Sequence, residues 1–219
     1  MTNRNIYVGV ENEFQLMEGR DRVSFAPQME YLLRRYNAPY FKKSETAIRT
    51  KSGSALYADG DAPEVCSAPV RVCSGFVPRA VDALYCARKE LVDLVSADST
   101  LSLIGYSTHW NLTTCLENVS RAEVMSALAV PYALFTLTPL SVGINLRGKD
   151  YPAPGRLELL GDYIEDEAQI RAFLLLYAGT LLNFEANAKK LPFYLAEPAG
   201  RGDGHYTNPV LDGRYSRVK

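Results

Sequence analysis

An excess of positive charge is missing from this chain. Its 24 Lys and Arg stand against 25 Asp and Glu for a net charge of -1, which leaves no basic footprint for nucleic acid. Histidine is scarce at two residues, and the four cysteines, Cys66, Cys73, Cys86 and Cys115, form no CxxC pair. Their irregular spacing fits neither a zinc site nor a small disulfide framework, so they read as reduced thiols of a cytoplasmic protein. Long hydrophobic runs are absent too. The longest, AFLLLYAGTLLNF, is shorter than a bilayer span and flanked by charge, which predicts no membrane partner. The opening MTNRN leads directly into a strand-like stretch, so no secretory leader is expected. There is no internal repeat and no low-complexity block.

What is present is an ordinary globular composition, 47% apolar and 22% charged over 219 residues, enough for one core. Helical periodicity runs through 77–98, 121–137 and 165–190, with a shorter helix over 27–36. The second opens on Ser120-x-x-Glu123, a capping-box pattern, and meets Pro131, which should kink or end it. Strand-like stretches fall at 6–16, 54–60 extending through 64–70, 103–113, 142–147 and 155–162. Strands arriving in pairs between helices predict an α+β fold with a mostly antiparallel sheet. Residues 1–190 are expected to form the folded domain, and the Gly- and Pro-rich residues 191–219 a loop-rich C-terminal tail.

Side chains along a strand alternate faces. In YVGVENEF, Val8, Val10 and Phe14 take one side, while Glu11 and Glu13 take the other. In STHWNLT, Ser107, His109 and Asn111 oppose Thr108, Trp110 and Leu112, and VGINLR and GRLELL likewise separate Asn145 with Arg147, and Arg156 with Glu158, from aliphatic neighbours. A solvated outer face also alternates, but it is usually built from Lys, Thr, Glu and Ser rather than Glu-Glu, His-Asn, Asn-Arg and Arg-Glu. If these strands are neighbours, helices pack on one face and the other is ion-lined. Hard oxygen ligands with one histidine suit Mg²⁺ or Mn²⁺, and arginine forks suit polyphosphate.

Four segments, GVENEF, SALYADGDAPEVCSAP, STHWNLT and the block INLRGKDYPAPGRLELLGDYIEDEAQIRAFLLLYAGT, occur in this order. With them the chain resembles the glutamine synthetase-like superfamily of ATP-dependent carboxylate–amine ligases, which includes glutamate–cysteine ligases, the Pup ligase and the Pup deamidase. The resemblance covers residues 6 to about 180. It implies a glutamine synthetase-like catalytic fold, with ATP and Mg²⁺ or Mn²⁺ as cofactors. It also implies an amide or isopeptide bond made through an acyl phosphate. By resemblance Glu11, Glu13, Glu64, His109 and Glu158 bind metal, Asn111, Arg147 and Arg156 bind the nucleotide and its phosphates, and Asp59 is the catalytic base. Substrates would be a carboxylate and an amine, each a small molecule or a protein tail. The site would be completed across a homo-oligomer or by a partner subunit.

One departure stands out: the second arginine of the family's R-I-E-F-R run is Leu160 here. Two alternatives therefore accompany the ligase, an ATP-dependent amide hydrolase like the Pup deamidase and a noncatalytic nucleotide-binding subunit. Each residue also has a plain structural reading. Glu11 and Glu13 can be an exposed strand face, Asp59 a turn initiator before Gly60, Glu64 a loop acid after Pro63 and His109 a packed core histidine. Arg156 and Glu158 can be a cross-strand ion pair of little energetic weight.

Overall fold

The structure is a computed structural model, and it describes residues 6–29, 47–113, 143–147, 156–187 and 205–207. Ten strands and two long helices follow one another in the described chain. They are β1 (Tyr7–Glu18), β2 (Asp21–Val23), β3 (Ala47–Arg49), β4 (Ala55–Asp59), β5 (Ala62–Cys66), β6 (Val70–Arg71), α1 (Phe76–Val95), β7 (Leu101–Thr113), β8 (Gly143–Arg147), β9 (Arg156–Asp162), α2 (Glu167–Asn187) and β10 (His205–Thr207). All strands belong to one sheet in the order β10-β8-β9-β7-β1-β5-β4-β3, with β2 and β6 also paired to β1. Every described pairing is antiparallel. The fold is thus α+β around a mostly antiparallel open sheet. The expected helix at 121–137 lies outside the described residues, and of 27–36 only the helical turn at 26–29 overlaps them. Strand β10 arises inside the stretch expected to be loop-rich, pairing His205 with Asn145.

Two tight turns set the geometry around β1 and β5. Gly19 and Gly60 hold φ of 60° and 58° at the first position of two-residue hairpin loops, between Glu18 and Asp21 and between Asp59 and Ala62. Such loops need a left-handed residue there to match the twist of the strands.

Helix α1 buries Val77, Ala80, Val81, Leu84, Ala87, Arg88, Leu91 and Val95, a stripe at three- and four-residue steps. Its first half joins Val8 and Val10 of β1, Trp110 and Leu112 of β7, Leu159 of β9 and Ile170, Phe173, Leu174 and Tyr177 of α2 in one apolar cluster. Its second half packs with Phe14, Leu16, Phe25, Met29, Leu56 and Val65 in another. Tyr177 also donates a hydrogen bond to the Trp110 carbonyl at 3.2 Å, tying α2 to β7. Both helices therefore pack on the side of the sheet to which Val8, Val10, Trp110 and Leu159 point. Glu11, Glu13, His109 and Glu158, one residue out of phase, point away from it.

Candidate functional site

Strand register brings the acids together. On the central strand, Glu11 faces Cys66 of β5 and Glu13 faces Glu64, while on the other flank Glu11 faces His109 of β7 and Glu13 faces Ser107. Asn111, two residues beyond His109, faces Gly9 on β1 and Glu158 on β9. Segments far apart in sequence thereby become adjacent side-chain rows on the face opposite the helices.

The carboxylates are buried, with Glu11 5%, Glu13 9%, Glu64 3% and Glu158 1% exposed. Two groups of three place one ligand atom per residue within 4.8 Å of one another: Glu11 with His109 and Glu158, and Glu13 with Glu64 and His109. The imidazole stands between them. Its Nδ1 lies 3.5 Å from Glu11 Oε2, and its Nε2 lies 3.8 Å from Glu13 Oε1. Ser107 donates to Glu13 Oε2 at 2.6 Å and sits 3.3 Å from His109 Nε2. On the far side of Glu13, the Tyr57 hydroxyl donates to Glu64.

Charge crowding shows in the protonation of these groups. Burial pushes Glu64 up to about 9, against the Tyr57 hydrogen bond, which lowers it, and with help from the negative charges of Glu11, Glu13 and Asp59. Burial pulls His109 down, yet its hydrogen bond to Glu11 and the charges of Glu13, Glu11 and Glu158 outweigh that and leave it raised. Burial, then the charges of Glu11 and Glu64, drives the Tyr57 hydroxyl far up, so it remains a donor. A divalent cation bound at this face must displace these protons, and its charge then offsets the crowding of the carboxylates. Its donors, four carboxylates and one imidazole, suit Mg²⁺ or Mn²⁺.

Asn111 bears separately on what the face holds. It is 6% exposed, and among the described residues neither its amide nitrogen nor its amide oxygen has a hydrogen-bond partner. A buried amide left unpaired at both ends costs free energy that an incoming polar ligand removes.

Of the residues singled out in sequence, the structure thus gathers Glu11, Glu13, Glu64, His109, Glu158 and Asn111. Asp59 ends β4, exposed, on the same face as Tyr57 by strand alternation and close enough for its charge to act on Glu64. Arg147 and Arg156 face each other across β8 and β9, and their side chains lie outside the described residues. Leu160 faces His109. Alternation in the sequence gave no role to Tyr57 or Ser107, although both occupy the polar phase of their strands. It also gave no role to Cys66, whose Sγ sits 3.6 Å from Glu11 Oε1. Tyr106 was hidden for another reason. The register shifts between Glu13 and Phe14, which faces Gly105, so Tyr106 is the extra residue of a β-bulge. Its hydroxyl bonds to Glu13.

No protein-family model matches the chain, and no curated protein matches it. Among solved structures, it is similar at a TM-score of 0.49 and 15% identity to the ligase PafA, crystallised with the prokaryotic ubiquitin-like protein Pup, over 82% of this chain and 47% of that one. A second, an aspartate kinase of Clostridium acetobutylicum described as an allosteric enzyme, aligns at a TM-score of 0.25 and 8% identity over 80% of this chain and 33% of that one. The chain spans about half the length of the ligase. No helix among the described residues is long and apolar enough to cross a membrane.

Proposed function

We propose that this chain is an ATP-dependent carboxylate–amine ligase whose ion-lined sheet face holds divalent cations. The observation that carries the reading is the pair of ligand groups sharing His109, Glu11–His109–Glu158 and Glu13–Glu64–His109. A divalent cation held by these residues would suit phosphoryl transfer, in which catalysis is mostly positioning and neutralisation of charge. Mg²⁺ or Mn²⁺ held there supplies that neutralisation.

The chain's own residues have distinct tasks under this reading. Glu11, Glu13, Glu64, His109 and Glu158 bind cation, Ser107 and Tyr57 fix the rotamers of Glu13 and Glu64, and Asn111 offers its unpaired amide to the nucleotide. Arg147 and Arg156, at facing positions on β8 and β9, are assigned to phosphate oxygens. The γ-phosphoryl group of ATP passes to a substrate carboxylate. An amine then attacks the acyl carbon, inorganic phosphate leaves, and Asp59 takes the proton released by the attacking nitrogen. The carboxylate and amine are carried by small molecules or by a protein tail.

Leu160 supports a second reading. It lies in the cross-strand row of Glu11 and His109 at the position where the resembling family carries an arginine, and a missing phosphate contact favours a subunit that binds nucleotide without turning it over. ADP formation with candidate acids and amines, set beside the thermal shift given by Mg²⁺-ATP, decides. The ligase reading expects both, and expects Asp59→Asn to retain the shift while losing about 10²- to 10⁴-fold in turnover. A shift without ADP establishes the binding subunit, ammonium released without net ADP establishes the hydrolase, and no shift refutes the nucleotide site.

A further inference from the structure

Behind the acidic face, between Glu11 and Glu13, Asn12 points toward the helices and is fully buried. Its amide nitrogen donates to Thr108 Oγ1 at 2.9 Å and to the Ser107 carbonyl at 3.3 Å. Its amide oxygen accepts from Arg88 Nε at 2.7 Å. Arg88 Nη2 donates to the Ile164 carbonyl at 2.6 Å, and the Ile164 amide donates to Thr108 Oγ1 at 3.0 Å. The bonds close into a ring joining β1, β7, α1 and the segment between β9 and α2.

The cost of this ring asks for a purpose. Arg88 is 7% exposed and forms no salt bridge among the described residues, although the charge of Glu165 acts on it; its guanidinium packs over the rings of Tyr85 and Tyr163 at 5.4 and 5.0 Å. A packed apolar group of the same volume would often serve stability as well. The position of the ring supplies the purpose. Asn12 faces Thr108, and one pair further along the register shifts at the bulge. A bulge that migrates by a single residue turns the side chains it passes onto the opposite face. Migration toward His109 would withdraw Ser107, then His109, from Glu13 and Glu11.

We infer that Asn12, Thr108 and Arg88 are positioning residues, which pin the bulge at Tyr106 and so hold Ser107 and His109 against Glu13 and Glu11. The Asn12–Thr108 bond fixes the last pair but one before the bulge, and the Asn12 bond to the Ser107 carbonyl holds the backbone of the last, Glu13–Ser107. Arg88 sets which end of the Asn12 amide faces β7. The inference rests on the cation-site reading for its functional consequence, though not for its geometry.

Thr108→Val keeps the shape of the side chain and removes the ring's shared acceptor, Thr108→Ser restores it, and Leu91→Ala lowers stability within the second apolar cluster without touching the ring. Nitrogen-15 spectra of the His109 ring in metal-free protein, assigned against His205 as the only other histidine, report whether the imidazole still meets Glu11. Mn²⁺ titration followed by electron paramagnetic resonance reports the cation site. The expected result is a changed His109 spectrum and at least tenfold weaker Mn²⁺ binding in Thr108→Val, with both near wild type in Thr108→Ser and Leu91→Ala. Should Thr108→Val not fold, Asn12→Asp, which keeps the acceptor for Arg88 and loses the donor to Thr108 and Ser107, is expected to give the same changes. An unchanged His109 spectrum in the folded variant overturns the inference. If wild-type protein binds no Mn²⁺ but the His109 spectrum still changes in the valine variant alone, the ring's positioning role stands and the cation reading falls.

Discussion

Raising the pH of the metal-free protein should weaken it, and adding Mn²⁺ should reverse the trend. Glu64 is pushed up to about 9 by burial, from a reference of 4.5. The folded chain therefore keeps a proton that the unfolded chain releases, and this contribution to stability is full below the unfolded value and is lost as pH climbs toward 9. His109, also raised, acts with the same sign. A cation that uses Glu64 must expel its proton, and at pH 7 that step costs on the order of 3 kcal/mol. Apparent affinity should then rise about tenfold per pH unit from Glu64 alone. If Mn²⁺ at pH 8.5 stands at about a hundred times its dissociation constant, it adds roughly 2.7 kcal/mol, whereas the same concentration at pH 6.5 adds about 0.4 kcal/mol. For a chain of this size these become Tm increases of about 5–10 °C and about 1–2 °C. Melting curves across that range, with calorimetry in two buffers of different ionisation heat to count released protons, provide the check. An affinity that is flat with pH, with no proton released, would refute the assignment of Glu64 as a protonated ligand.

Glu13→Gln removes one charge from a face crowded with buried carboxylates while keeping an acceptor for Ser107. The metal-free variant should melt higher than wild type, by about 0.5–2 kcal/mol, and lose the Mn²⁺-induced shift, since sites of this kind are held against their own stability. Tyr57→Phe deletes the hydrogen bond that lowers Glu64, so Mn²⁺ affinity at neutral pH should fall roughly tenfold and recover at higher pH. A variant that binds as wild type at pH 7 would show that Tyr57 does not tune the acid. A Cβ on Gly105 would meet the Tyr163 ring at 2.6 Å, and that ring also packs on Phe14 at a centroid distance of 5.5 Å. Denaturant unfolding of Gly105→Ala should show a loss of about 1–3 kcal/mol from overpacking, and an unchanged midpoint would mean that Tyr163 has room to move.

Strand alternation made the acidic face legible because a period of two survives wherever the ladder is unbroken. Val8, Val10, Trp110 and Leu112 are core, and Glu11, Glu13, His109 and Asn111 lie on the other phase. Alternation could not say which strands are neighbours. Nothing local sets Glu64 opposite Glu13 or Glu158 opposite Asn111; those pairings follow from the global order of the sheet. Strands β2, β3 and β10, at three residues each, are too short to display a period. The bulge was silent as well. Beyond it the phase inverts, so that Leu101 and Leu103 pack against the second cluster, although by simple parity they belong with Ser107 and His109.

The stretch that best marked its own complexity is Glu11-Asn12-Glu13. A strand with one polar phase needs one explanation, solvent or a site. Here three consecutive polar residues are buried, at 5%, 0% and 9% exposure, so both phases are polar and each must find partners on its own side of the sheet. The outer pair meets His109, Ser107 and Glu64, and the middle residue meets Thr108 and Arg88. Arg88 was the least readable member, because an arginine on an amphipathic helix reads as its wet face. Only the tertiary structure shows it closing the ring behind the acids. The two demands are coupled through a single peptide segment: a side chain that anchors Asn12 to β7 also fixes the direction in which Glu11 and Glu13 leave the strand on the other side. Variants of Asn12 should therefore alter cation binding without a change in any proposed ligand, and that coupling separates a positioning ring from ordinary buried packing.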